Sequence, residues 1–83
     1  MEKFATDDLG FVTYLDIKKF KPSELPAQKG RHIQYTYDKT PELEKEQIEY
    51  YLNGAKVEAF TFYKVLQGYR LQAARMTRSG EVK

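Results

Sequence analysis

Cysteine is absent from this chain, which excludes a disulfide framework, a thiolate metal site and a thiol nucleophile. Tryptophan is absent too, and histidine occurs once, as His32. A lone imidazole leaves most zinc sites without enough ligands. Neither a glycine-rich phosphate loop nor a nucleophile elbow is present. No apolar run approaches the ~18 residues of a membrane span, and Met1-Glu2-Lys3-Phe4 has no signal-peptide core. These absences lead to the expectation of a cytoplasmic protein with no membrane association, no cofactor, no metal, no small-molecule substrate and no enzymatic activity.

The chain has 83 residues, 41% apolar and 14% aromatic, with seven Tyr and five Phe. A chain this short buries only about 60% of its unfolded surface, so its one domain must rest on a small, aromatic-rich core. The net charge of +2 is too small to argue for a polyanion partner, but the charges are unevenly distributed. From Asp38 to Glu58 acids dominate; from Ala59 onward Lys64, Arg70, Arg75, Arg78 and Lys83 face only Glu81. Helix electrostatics account for part of this, because acids suit a helix start and bases a helix end.

Val57 to Arg78 predicts one long helix with two chemically different faces. Ala59, Phe62, Leu66, Tyr69, Ala73 and Met76 recur at steps of three and four and stack into one apolar stripe. The opposite side carries Phe60, Lys64, Gln67, Leu71, Arg75 and Arg78, with Arg70 on the flank. Gly68 inside this helix costs about 1 kcal/mol relative to Ala, which points to a kink or a close contact. Ser79 to Lys83 is expected to be a frayed tail.

Upstream, Thr40 is a good N-cap with Pro41 at the first helical position, and Glu42 and Glu44 complement the helix start. Leu43, Gln47, Tyr50, Tyr51 and Gly54 mark one side of this helix, with Ile48 and Leu52 widening it. Asn53-Gly54 closes it. Arg31 to Tyr37 alternates as a strand, with Ile33, Tyr35 and Tyr37 on one face and His32, Gln34 and Thr36 on the other. Phe20 to Ala27 is its expected hairpin partner, held to a sheet edge by Pro22 and Pro26, with the turn at Gln28-Lys29-Gly30. Phe4-Ala5-Thr6 suits a short strand. Residues 9–19 are ambiguous: Phe11 to Ile17 has strand-like composition, whereas Thr6 as a cap with Asp7 and Asp8 in the first turn favours a helix.

Four stretches, Thr6-Asp7-Asp8-Leu9, Tyr35-Thr36-Tyr37-Asp38, Tyr50-Tyr51-Leu52-Asn53-Gly54, and Val57 with Phe62-Tyr63, follow one another along the chain. In this order they resemble a family of short domains of unknown function found in bacterial and phage genomes. The resemblance spans Phe4 to Leu71 and implies an architecture and a phage-like setting, with no catalytic residues. The glycine that usually closes the first helix of that family is missing near Lys18-Lys19, where Phe20 follows directly.

The elements together predict a small α+β domain over residues 1–83, in the order β-α-β-β-α-α, with helices covering one face of a short sheet. Asp7 and Asp8 suit a helix start better than a Mg²⁺ site, and Glu42, Glu46 and Glu49 suit a solvated face. Two sites compete for a partner. Tyr35 and Tyr37 beside Arg31 and Lys39 are base-stacking residue types, unless with Ile33 they form the buried face. The basic face of the last helix is the stronger candidate, through Phe60, Lys64, Gln67, Arg70, Leu71, Arg75 and Arg78. Phe60 and Leu71 set between bases favour a protein partner, a second copy included, over a nucleic acid held by the same Lys/Arg face.

Overall fold

The computed structural model describes residues 2–81, with side chains described as far as Thr77. Three strands and three helices follow one another as β1 (Lys3–Thr6), α1 (Leu9–Ile17), β2 (Ala27–Lys29), β3 (His32–Asp38), α2 (Pro41–Tyr51) and α3 (Ala59–Glu81). The domain is α+β in the expected order. The strands lie β1-β3-β2, both pairings antiparallel, with Phe4 opposite Tyr37 and Gln28 opposite Ile33. Helices cover one face of the sheet, and the other carries the polar residues that alternate with the core positions. The result is two layers, only 19 Å through the shortest axis.

β3 is the central strand because it alternates most strictly. Ile33, Tyr35 and Tyr37 are buried, with Tyr35 1% and Tyr37 2% exposed. This overturns the idea of a base-stacking platform on these two rings. β2 departs from expectation: it is Ala27–Lys29 and not Phe20–Ala27. Pro22 and Pro26 lack the N–H groups a ladder needs, so pairing starts only beyond them. With Lys29 opposite His32, the turn is Gly30-Arg31, and Gly30 supplies its φ of 61°.

α1 is a helix, and its cap lies two residues later than Thr6. The Asp8 carboxylate accepts from the N–H groups of Gly10 (3.0 Å) and Phe11 (3.3 Å), while Thr6 Oγ1 accepts from the N–H of Asp8 (3.1 Å). Its far end closes without glycine. Lys19 takes the left-handed conformation (φ 73°), its N–H donating to Asp16 O and that of Phe20 to Leu15 O, both at 2.9 Å. Phe11, Val12, Thr13, Tyr14 and Leu15 are consecutive and all buried, because the sheet lies beneath α1 while α2 and α3 both pack against it. With Ile33, Tyr35, Tyr37 and Leu43, the apolar members of this run form the core.

Tyrosine hydroxyls tie the helical layer together. Tyr14 donates to Glu46 (2.7 Å) and Tyr51 to Asp8, joining α1 to α2. Tyr69 donates to Asp16 (3.1 Å), and Tyr35 to Gln72 (2.8 Å), joining α3 to α1 and β3. Burial and these acceptors favour the neutral phenols: Tyr14 and Tyr69 are pushed up to about 12, desolvation being the largest cause in both.

Candidate functional site

α3 starts at Ala59, two residues after the expected Val57, because Glu58 acts as its cap. The Glu58 carboxylate accepts from the N–H of Phe60 (3.0 Å) and from the N–H (2.9 Å) and hydroxyl (2.7 Å) of Thr61. These donors, the Thr61 hydroxyl foremost, hold its carboxyl below the usual range. At the other end the helix continues through Ser79 and Gly80 to Glu81, where a frayed tail was expected; Val82 and Lys83 lie outside the described residues.

The inward stripe of α3 is shallower than its periodicity suggested. Phe62, Tyr69, Ala73 and Met76 rest half-buried against the core, Leu66 is half-buried, and Ala59 is exposed. The helix therefore lies across the layer as a ridge and leaves its opposite face uncovered. At 1.5 Å per residue its 23 residues span roughly 34 Å, most of the 42 Å long axis.

The outer face holds the residues singled out from sequence. Phe60 is 64% and Leu71 57% exposed, and Lys64, Arg70 and Arg75 are exposed beside them. Gln67 is half-buried, and the Arg78 side chain lies outside the described residues. The Lys64 ammonium sits 5.1 Å from the Phe60 ring centroid, a cation–π contact within one helical turn. Gln67 donates to the Tyr63 hydroxyl (2.9 Å).

Tyr63, 56% exposed, belongs to the same surface and was missed in the sequence reading. Its position three after Phe60 and four before Gln67 was the available signal. None of Lys64, Arg70 and Arg75 has a carboxylate within 4.0 Å among the described residues. The face is thus an apolar seam, Phe60, Tyr63 and Leu71, bordered by cations that no acid among the described residues neutralises.

Gly68 lies on the flank of the same face. A Cβ built there meets nothing within 4 Å, and the helix runs through it unbroken. Neither a kink nor a close contact inside the domain accounts for this glycine.

The other candidate groups are engaged elsewhere. Asp8 caps α1, Asp7 lies 3.6 Å from the exposed His32, Glu46 accepts from Tyr14, and Glu49 accepts from the Asn53 amide. Among the described residues no three His, Asp or Glu side chains converge closely enough to hold a metal, and no helix is long and apolar enough to cross a membrane. Set against known proteins, the chain matches no family model, no curated protein and no solved structure.

Proposed function

We propose that this chain is a non-enzymatic docking protein that holds a protein partner on the outer face of α3. The observation that carries this reading is the exposure of Phe60, Tyr63 and Leu71, each more than half open to solvent, as one seam of a helix otherwise lined with bases. Covering a Leu or Phe side chain is worth about 1.5–3 kcal/mol, so three together are enough to anchor a modest interface. Lys64, Arg70 and Arg75 add attraction and orientation toward an acidic surface. Gly68, which costs about 1 kcal/mol in a helix and serves no contact within the domain, suits the close approach of a second backbone.

The partner best matched to such a face is an amphipathic helix with acidic residues beside its apolar stripe. The resemblance to short bacterial and phage domains supports an accessory role in that setting. A cytoplasmic location suits a chain with 31% charged residues.

The test is fluorescence anisotropy with a labelled amphipathic peptide of Leu and Glu heptads, run beside single-stranded and duplex oligonucleotides at two salt concentrations. The peptide is expected to bind with a shallow salt response, and Leu71→Ala to weaken it about tenfold. Oligonucleotide binding that falls steeply with salt and ignores Leu71→Ala would overturn the reading in favour of phosphate tracking.

A further inference from the structure

Docking through α3 leaves open what covers it, and the chain itself carries a surface of matching chemistry. Tyr51 was expected to mark one side of α2 together with Leu43, with Ile48 and Leu52 widening that side, yet Leu43 is buried while Leu52 is 77% exposed and Ile48 and Tyr51 about half. Together with the α3 seam they make up all but one of the large apolar side chains exposed among the described residues, the exception being Leu25. Two apolar patches on two helices therefore remain open in a domain whose core is already complete.

The charges around the two patches are opposite. On α2, Glu42, Glu44 and Glu49 stand against Lys45, with Lys39 4.0 Å from Glu44 and Glu46 turned inward to Tyr14, whereas α3 has no acid between Ala59 and Gly80. Pairing α3 with another α3 would set Lys64, Arg70 and Arg75 against their own kind. Pairing α3 with α2 sets bases against glutamates and one apolar patch against the other.

We infer that the occupant of the α3 face is a second copy of this chain, presenting the acidic, apolar end of its α2. The inference rests on the docking reading above and names its partner. Exchanged reciprocally about a two-fold axis, the contact occurs twice and the assembly closes.

Sedimentation velocity and light scattering across micromolar to millimolar concentrations test this, with two charge-reversed variants. Glu44→Lys/Glu49→Lys makes α2 basic, and Lys64→Glu/Arg75→Glu makes α3 acidic. The wild type should exceed monomer mass as concentration rises, and more readily at low salt. Each variant alone, checked for native far-UV circular dichroism, should remain monomeric, and mixing the two should restore association by pairing basic α2 with acidic α3. Restoration also shows that both variants are folded. A wild type that stays monomeric throughout, or variants whose mixture does not associate, overturns the second copy as partner. If the Leu/Glu peptide still binds α3 in that case, the docking reading survives with a foreign partner; if the peptide fails too, both fall.

Discussion

Replacing Lys19 by glycine should stabilise the domain. Lys19 terminates α1 at φ 73°, where its Cβ crowds the following carbonyl. That conformation costs an L residue about 1–2 kcal/mol, and glycine is free of it. Against this, glycine widens the unfolded ensemble by about 0.4–1 kcal/mol. The two bonds that close the helix, from the N–H groups of Lys19 and Phe20, are backbone bonds and survive the change. The ammonium has no carboxylate within 4.0 Å among the described residues, so little is lost with it. The balance is a gain of up to about 1.6 kcal/mol and centred on about 0.8 kcal/mol, which is roughly 3–6 °C in Tm for a domain of this size. Urea unfolding followed by far-UV circular dichroism measures it: the midpoint should rise with the slope unchanged. Lys19→Ala, which keeps the Cβ, should stay within about 0.5 kcal/mol of wild type. A lower midpoint for Lys19→Gly would refute the assignment of strain to this residue.

Gly10→Ala should destabilise by about 1–3 kcal/mol, because the new Cβ falls 2.5 Å from the Tyr50 hydroxyl. The Tyr50 ring cannot easily retreat, with Phe11, Tyr14 and Tyr51 packed around it at 5.3, 5.1 and 4.9 Å. Tyr50→Phe should recover most of the loss in a double-mutant cycle, and additive effects would count against the clash. Gly68→Ala should do the reverse, adding up to about 1 kcal/mol of thermal stability while weakening peptide docking; equal docking would dissociate Gly68 from the interface. Alkaline pH should unfold the protein. With Tyr14 and Tyr69 raised to about 12, the unfolded chain releases its phenolic protons first. Stability is therefore intact below about pH 10 and falls as pH rises through 12. Phenolate absorbance from Tyr14 and Tyr69, isolated with Tyr→Phe variants, should appear together with the loss of circular dichroism, and either of these two titrating near pH 10 in a still-folded chain would contradict this.

Much of the fold is visible in the sequence where a local signal and a burial signal coincide. Thr40-Pro41 starts α2, with the Thr40 hydroxyl accepting from Leu43 N–H, and the alternation of Ile33, Tyr35 and Tyr37 marks the buried side of β3. α1 is harder for a physical reason. At the centre of the helical layer it is buried on every side from Phe11 to Leu15, so it shows no amphipathic stripe, and its aromatic and β-branched residues imitate a strand. The start of α3 is obscured because glutamate is not among the favoured caps, and β2 because only the prolines reveal where its ladder cannot form.

The candidate face of α3 follows from its spacing, apart from Tyr63. The open patch on α2 does not, because Ile48 and Leu52 have the composition of core residues. Which of two apolar flanks is covered depends on neighbours that helical periodicity does not encode.

The central position of α1 also bears on how the molecule is made. A chain synthesised from its N-terminus exposes Phe11 to Leu15 well before β3, α2 and α3 exist to cover them. A nascent chain that ends at Glu58 already has the whole sheet and α2, but it lacks Phe62, Tyr69, Ala73 and Met76, which rest against the core. It also lacks the partners of the Tyr35 and Asp16 side chains, which are Gln72 and Tyr69. The final helix is therefore the closing piece of the interior as well as the surface turned outward. Changes that unseat it should abolish assembly and folding together, whereas changes confined to its outer seam should leave a folded, unpartnered domain.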